Sequence, residues 1–276
     1  MGLELPEVLN ISKQMDHTVR GKTIKNVLLG DRCSGIIKLG MCNLDRRKDE
    51  IVNSTVSSIE ARGKWIFLEF NNGKFLLLGE LIGKLLYHKD ESEIPEVYHV
   101  LFEFDDNTSL SFQSSLYGFL EIDDPEQLEE HKYAGNIGIS PDDKKFTYSY
   151  FKNVLLRNEK KPVKALLGLQ TDISGLGNVY INDILYEAKL HPKRKAVELE
   201  ESEQNKLYET VVEITKSAIE LKGSTQEVDL FGKPGRYIRI MDKDSTGEGC
   251  KRCGTRIVKM NILGSSSYFC PGCQKI

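Results

Sequence analysis

Four of the chain's six cysteines fall in two pairs, Cys250-x2-Cys253 and Cys270-x2-Cys273, separated by sixteen residues. Each Cys-x2-Cys turn offers two thiolates to one tetrahedral ion, so the spacing is that of a four-thiolate zinc ribbon. Disulfides would not persist in a reducing compartment, and a redox pair would not need the second dyad. Four protein ligands leave no open position, which makes the expected zinc (one per chain) structural rather than catalytic. The apolar segments 256–263 and 267–269 are expected to pair as the hairpin that brings the two turns together, with Gly254 and Gly272 suited to the knuckle geometry, where a positive φ is often needed. Cys33 and Cys42 have no comparable partner and read as free, partly buried thiols.

A second stretch with chemical content is Ser174-Gly175-Leu176-Gly177-Asn178, placed between two segments of helical period. Two glycines let the backbone approach a ligand closely, and Asn178 is expected to cap a helix beginning at Val179. The N–H groups at such a helix start make a phosphate site. Taken alone, the loop reads more readily as a Gly-rich helix–helix turn with an Asn cap.

The net charge of −3 hides an asymmetry. Residues 1–150 hold 17 Lys+Arg against 25 Asp+Glu, residues 151–276 hold 21 against 16, and from residue 230 onward 9 basic residues face 3 acidic ones. A basic second half is the footprint of a polyanion-binding surface, with a chance bias of solvated charge as the competing reading. A composition of 39% hydrophobic and 29% charged residues excludes a disordered or collagen-like chain. No apolar run approaches a membrane span. The start, Met1-Gly2-Leu3-Glu4-Leu5-Pro6-Glu7, has neither the basic residues nor the apolar stretch of a signal peptide, so a cytosolic protein is expected.

The elements that must position these groups divide into three segments, as a length of 276 residues suggests. Residues 1–130 are strand-rich. A first helix is signalled by Pro6 and by Val8, Ile11, Met15 and Val19, ending near Gly21. Strand patterns follow at 24–29, 36–39, 56–70, 75–87, 97–104 and 109–112, with hairpin turns at Asn72-Gly73 and Asp105-Asp106-Asn107. Many short antiparallel strands suggest a sandwich or barrel. Asp123-Asp124-Pro125 and the acidic stretch to Glu130 read as a surface loop or short helix. Residues 131–222 form the helical segment, with apolar positions three or four apart at 150–156, 163–169, 179–190 and 196–221. Residues 223–276 return to β structure and end in the ribbon.

Gly175-Leu176-Gly177-Asn178-Val179-Tyr180, with Leu185 and His191-Pro192-Lys193-Arg194 downstream, closely resembles the helix–two-turns–helix motif of the formamidopyrimidine-DNA glycosylase / endonuclease VIII family. Glu4-Leu5-Pro6-Glu7-Val8 looks like that family's N-terminal signature, Ala61-Arg62-Gly63-Lys64 like its Arg-Gly-Lys strand, and Tyr268-Phe269-Cys270-Pro271-Gly272-Cys273-Gln274 like the end of its zinc finger. The matches run in order from residue 4 to residue 274. The resemblance implies an α+β multidomain fold: an N-terminal β-sandwich with flanking helices, a helical helix–two-turns–helix domain, and a C-terminal β zinc ribbon. The implied partner is double-stranded DNA carrying a damaged base or an abasic site, bound by a monomer with no membrane attachment.

The resemblance also gives residues roles. In the family the nucleophile is the α-amine of an N-terminal Pro beside a catalytic Glu, and amine attack on the sugar C1′ gives a Schiff base from which the strand is cut by β-elimination. Glu4 matches the Glu, Lys64 the lysine beside the lesion, Asn178 the phosphate-binding Asn, and Lys164 the lysine preceding the motif; Gly175 and Gly177 shape the phosphate loop. Three departures fall at the chemistry. Leu3 stands at the place of the Pro, so that with Met1 removed the free amine would belong to Gly2, about 3.5 Å further along the chain. Ser265 stands at the place of the finger's phosphate-gripping Arg and supplies neither its charge nor its fork. Leu81, Ser115 and Tyr117 take the places of the residues that fill the gap left by an everted base. Leu81 and Tyr117 are expected to wedge the stack, while Ser115 cannot pair with the orphaned base. Asp183 replaces a Glu in the motif helix. The segment 222–235, with Gly223, Gly232 and Gly235, is expected to be a mobile lesion-reading loop.

Three readings follow. The first is an active glycosylase/abasic-site lyase using Gly2 or Lys64 as its amine, favoured by Glu4, Lys64 and Asn178. The second is a catalytically inactive damaged-DNA-binding relative, favoured by the missing Pro and finger Arg. The third is an unrelated zinc-ribbon adaptor, which would require four ordered matches to be coincidence. The sequence leans to the first, with lyase activity ahead of base removal.

Overall fold

A proline in the first turn of a helix gives up no hydrogen bond, and Pro6 stands there in α1 (Leu5–Thr18), two residues inside the N-cap Glu4. The computed structural model describes residues 2–262 and 264–276. Met1 lies outside the described residues, as does Leu263, the last residue of the expected 256–263 strand. Val8, Ile11 and Met15 recur at helical spacing and are all buried.

After α1 come β1 (Ile24–Leu29), α2 (Cys33–Lys38), α3 (Leu44–Arg47), β2 (Val56–Arg62), β3 (Trp65–Phe70), β4 (Phe75–Gly79), β5 (Gly83–His88), β6 (Val100–Phe104), β7 (Ser109–Ser114), β8 (Phe119–Asp123) and α4 (Pro125–Leu128). The strands make two four-stranded antiparallel sheets, ordered β1-β6-β7-β5 and β2-β3-β4-β8. Val27, Leu85, Phe102 and Phe112 of one sheet share a core with Ile66, Leu68, Leu78 and Ile122 of the other and with the apolar stripe of α1. This is the expected sandwich with flanking helices. The outer face of β3 carries Trp65, packed 5.2 Å from Phe119 and edge-on to His131.

Three strand expectations change in the structure. The run 36–39 lies mostly in α2, where Cys33 and Ile36, one turn apart, are buried and Leu39 is exposed; a short apolar run does not by itself separate helix from strand. The run 56–70 is a hairpin, turned at Gly63 with φ +57, a left-handed value that favours glycine. The run 75–87 is divided between the two sheets. β8 was hidden by the acidic residues that follow it.

The remaining elements are α5 (Tyr148–Arg157), α6 (Val163–Leu167), α7 (Asn178–Glu187), α8 (Glu201–Glu220), β9 (Val258–Ile262) and β10 (Ser265–Phe269). The expected helix over 196–221 begins as a separate 3-10 turn at Ala196–Glu198 before α8. β9 and β10 pair as the expected antiparallel hairpin. Phe151, Leu166, Tyr180, Ile184 and Val211 form the helical core. Among the described residues no helix is long and apolar enough to cross a membrane.

The chain forms two compact units, residues 1–136 with 225–235, and residues 137–224 with 236–276. The strap 225–235, expected as a mobile loop grouped with the ribbon, therefore packs in the first unit. Gln14 Nε2 donates to Asp229 Oδ2 at 2.8 Å, Leu230 N–H to Gln14 Oε1 at 3.0 Å, and Tyr87 N–H to Leu230 O at 2.8 Å. Leu230 itself is fully buried in the sandwich core. Leu230→Ala is expected to cost about 2–5 kcal/mol in chemical denaturation and to make 225–235 the first segment cut by protease. An unchanged midpoint and cleavage pattern would contradict this anchoring.

Candidate nucleic-acid interface and zinc centre

In the first unit the expected site residues gather on one short crossover. β4 ends at Gly79 in one sheet and β5 starts at Gly83 in the other, so residues 80–82 carry the chain between them. Their backbone groups tie in four neighbours. Glu80 N–H donates to Lys64 O at 3.2 Å, Leu3 N–H to Leu81 O at 2.8 Å, Ile82 N–H to Tyr117 O at 3.0 Å, and Ser115 N–H to Ile82 O at 2.7 Å. Gly2 lies against the same crossover, since a Cβ there would stand 3.1 Å from Ile82 Cγ1 and 3.3 Å from Leu81 O. Glu80 has φ +47, a left-handed value that costs a non-glycine residue about 1–2 kcal/mol. Such strain is concentrated at functional sites.

Glu4 is 5% exposed at the start of α1, and its N–H donates to Glu7 Oε2 at 3.2 Å. A carboxylate there is favoured by the helix dipole. Leu3, at the place of the family's Pro, is buried in the sandwich core. Lys64 follows the Gly63 turn, and its Nζ lies 3.5 Å from Glu80 Oε2. Ser115 is exposed and Tyr117 half-buried. Leu81, expected as a wedge, is only 2% exposed and packs in the core. Leu116, next to Ser115, is an apolar side chain exposed at 67%. Glu80 and Leu116 were missed from sequence; an acid between two strands and a leucine flanked by Ser115 and Tyr117 were the available signals.

In the second unit the α7 N-terminus differs from expectation in one respect. Gly177 is the N-cap, without a side-chain cap bond, and Asn178 is the first helical residue. Its Oδ1 is buried with no hydrogen-bond partner among the described residues. Turning the amide over exchanges oxygen for NH2 at no steric cost and would present a donor to an anion. The preceding loop is fixed by Gln170, also missed from sequence: its Oε1 accepts from Gly175 N–H at 2.9 Å and its Nε2 donates to Leu176 O at 2.8 Å. Gly175 has φ +86, so a glycine is favoured there.

Lys164, buried on α6, donates from Nζ to Ser266 O at 2.9 Å and to Ser267 Oγ at 2.6 Å. Lys164 therefore stands against β10 beside Ser265, whose own hydroxyl donates to Ile262 O at 3.2 Å. Burial pushes the Lys164 ammonium down to about 8. Asp183, fully buried, accepts from Tyr237 OH at 2.9 Å, Ile240 N–H at 3.0 Å and Met241 N–H at 2.7 Å, which clamps the chain leading into the ribbon against α7. Burial, opposed by these bonds, leaves its carboxyl pushed up to about 6.

The four ribbon cysteines meet, with their sulfurs all within 4.8 Å of one another. Cys250 and Cys273 are 3.8 Å apart and Cys253 lies 3.4 Å from both Cys270 and Cys273. A tetrahedron with Zn–S near 2.3 Å has edges of about 3.8 Å, so the donor set fits zinc and excludes disulfides. Tyr186 OH lies 3.3 Å from Cys250 Sγ, Arg252 donates to Tyr186 O at 2.6 Å and pairs with Glu187, and Gln274 Nε2 donates to Leu190 O at 2.9 Å. These bonds seat the sulfur cluster on α7 and the turn after it. Cys33 and Cys42, by contrast, are buried thiols 4.0 Å apart and outside this cluster.

A β-sandwich, a glycine-punctuated helical pair and a four-thiolate hairpin on one chain define a zinc-ribbon protein of the helix–two-turns–helix class. Three family models agree in order: the formamidopyrimidine-DNA glycosylase N-terminal domain over residues 3–115, the formamidopyrimidine-DNA glycosylase H2TH domain over 137–229, and the zinc finger found in FPG and IleRS over 247–276. The formamidopyrimidine-DNA glycosylase of Streptococcus mutans is 31% identical over 278 residues, covering 99% of each chain, and that of Listeria innocua is 30% identical over 282 residues with the same coverage. Among solved structures, Lactococcus lactis Fpg bound to DNA with an abasic site superposes with a TM-score of 0.83 at 27% identity, covering 99% of this chain and 100% of that one. MutM bound to DNA with carbocyclic 8-oxo-G superposes with a TM-score of 0.85 at the same identity and coverage. The chain belongs to the formamidopyrimidine-DNA glycosylase family, and its ribbon carries one structural zinc.

Lys164 supplies a pH test of this packing. Its folded pKa of about 8 lies below the ordinary 10.5, so between these values the unfolded chain holds a proton that the folded chain has released, and stability rises with pH. The stability of the native chain relative to Lys164→Met is expected to increase by up to about 3 kcal/mol across that window, measured by denaturation at each pH. A flat difference would contradict the buried ammonium.

Proposed function

We propose that this chain is a base-excision-repair DNA glycosylase and abasic-site lyase acting on double-stranded DNA with a damaged base or an abasic site. The observation that carries the chemistry is the 80–82 crossover, against which Gly2, Leu3, Lys64, Ser115 and Tyr117 all stand. Two primary amines are available to it: the Lys64 side chain, and the Gly2 α-amine once Met1 is removed.

At an abasic site either amine adds to the sugar aldehyde at C1′, and loss of water leaves an imine. The iminium acidifies C2′; loss of that proton forms the C2′=C3′ double bond, and the C3′–O bonding electrons leave with the 3′ phosphate. With a damaged base still attached, the amine displaces it at C1′ and the base departs with the bonding electrons and takes up a proton. In this reading Glu4 holds or moves a proton at the sugar, and Glu80 accepts from the Lys64 ammonium until DNA displaces it. Asn178, with the loop shaped by Gly175 and Gly177, holds a backbone phosphate. Lys164 positions the ribbon and Ser265 hydrogen-bonds phosphate in place of an Arg. Leu116 and Tyr117, with Ser115 beside them, face the disturbed stack, and Leu81 supports them from the core. The zinc holds the ribbon hairpin in shape. The chain would act as a monomer in the cytoplasm, at the nucleoid in a bacterial cell.

Borohydride trapping on duplexes carrying an abasic site or an oxidised base tests the chemistry. A covalent adduct is expected with the native chain. Its loss only on N-terminal extension would assign the α-amine; its loss only in Lys64→Ala would assign the side chain. Glu4→Gln is expected to slow trapping by roughly 10²–10⁴-fold. Tight binding of the abasic duplex without any adduct would leave an inactive binder and overturn the enzyme.

A further inference from the structure

Within the first unit, at the C-terminal end of α1, lies a cavity of about 800 Å³ whose lining includes His17, Lys22, Tyr87, Lys89, Phe231 and Lys233. Its volume is in the range of cavities that take small organic ligands. Glu4 begins the same helix, and fourteen residues of α-helix at 1.5 Å each put the two ends roughly 20 Å apart. The cavity is therefore separate from the catalytic carboxylate. None of its groups has a part in the chemistry above.

We propose that this cavity binds a nucleobase carrying a 5′-phosphate, whether as a free nucleotide or as the phosphorylated end of a DNA strand. The charge is arranged for an anion. Among the described residues neither Lys89 nor Lys233 is in an ion pair. Lys22 is held at the wall of the cavity by an ion pair with Asp106, which offsets its charge, and by Tyr87 OH at 3.0 Å and Thr108 Oγ1 at 2.8 Å. His17 Nδ1–H donates to Lys13 O at 2.8 Å, and Nε2 has no partner among the described residues. The single carboxylate of the lining, Glu93, is turned to the backbone, accepting from Lys89 N–H at 2.8 Å.

The base is accommodated by an aromatic wall. Phe231 is 41% exposed and stands edge-on to Tyr87, ring centroids 6.2 Å apart, which leaves ring surface open for stacking. Phe231 and Lys233 are presented together by a preformed turn. Asp229 Oδ1 accepts from Phe231 N–H at 3.0 Å and Lys233 N–H at 2.9 Å, while its Oδ2 accepts from Gln14. A ring and an ammonium held in place before the ligand arrives lose little freedom on binding.

Calorimetry on the intact, zinc-loaded chain tests this with adenosine 5′-monophosphate, adenosine, inorganic phosphate, and a short single strand with or without a 5′-phosphate. The monophosphate is expected to bind at least about tenfold more tightly than adenosine or phosphate alone. Phe231→Ala and the Lys89→Ala/Lys233→Ala pair are each expected to weaken it at least about tenfold, with thermal midpoint and abasic-site trapping unchanged. Tighter binding of the phosphorylated strand than of the nucleotide assigns a DNA end; the reverse assigns a free nucleotide. The proposal is overturned if the monophosphate does not bind at millimolar concentration, if the variants bind it as the native chain does, or if phosphate alone binds as tightly. Because trapping is read separately, loss of this site and loss of the lyase are distinguishable.

Discussion

Four thiolates within 4.8 Å of one another repel unless a cation sits among them, and much of the second unit is arranged around that cluster. The metal closes the β9–β10 hairpin, whose inner strand accepts the Lys164 amine through Ser266 and Ser267. Tyr186 and Arg252 connect the sulfurs to the C-terminal end of α7, where a guanidinium is also favoured by the helix dipole. At the other end of that helix is the buried amide oxygen of Asn178, which has no partner among the described residues. One ion thus fixes the ribbon against the helix that begins at Asn178.

The first unit solves a comparable problem by close packing. A sandwich core is close-packed and intolerant of movement, so a chain crossing between its sheets is a rigid place on which to mount chemistry. Residues 80–82 are such a crossing, and their backbone bonds reach the N-terminus, the Lys64 turn and the loop after β7. The strained Glu80 is the cost of making that crossing in three residues. Positions remote in sequence become neighbours because the two sheets exchange the chain there.

Local chemistry was legible in the sequence and tertiary consequences were not. The Cys-x2-Cys spacing needs only two turns and a hairpin, and it read directly as a metal site. The period of Val8, Ile11 and Met15 gave α1, and the glycines around Leu176 gave the loop. Leu81 read as a surface wedge because nothing in its apolar surroundings says which side of a crossover faces water; burial assigns it to the core and leaves Leu116 outside. Residues 36–39 read as strand because four residues show no period. The strap 225–235 looked free because its glycines are visible in sequence, whereas Gln14 and the burial of Leu230 depend on packing more than two hundred residues away.

The most direct test of the account is to remove the zinc from the intact chain with a chelator and measure binding to an abasic duplex by fluorescence anisotropy at moderate ionic strength. The account predicts a fall in affinity of at least about tenfold, restored by added zinc, while the sandwich keeps its β-sheet circular dichroism. Undiminished affinity in the metal-free chain would contradict it.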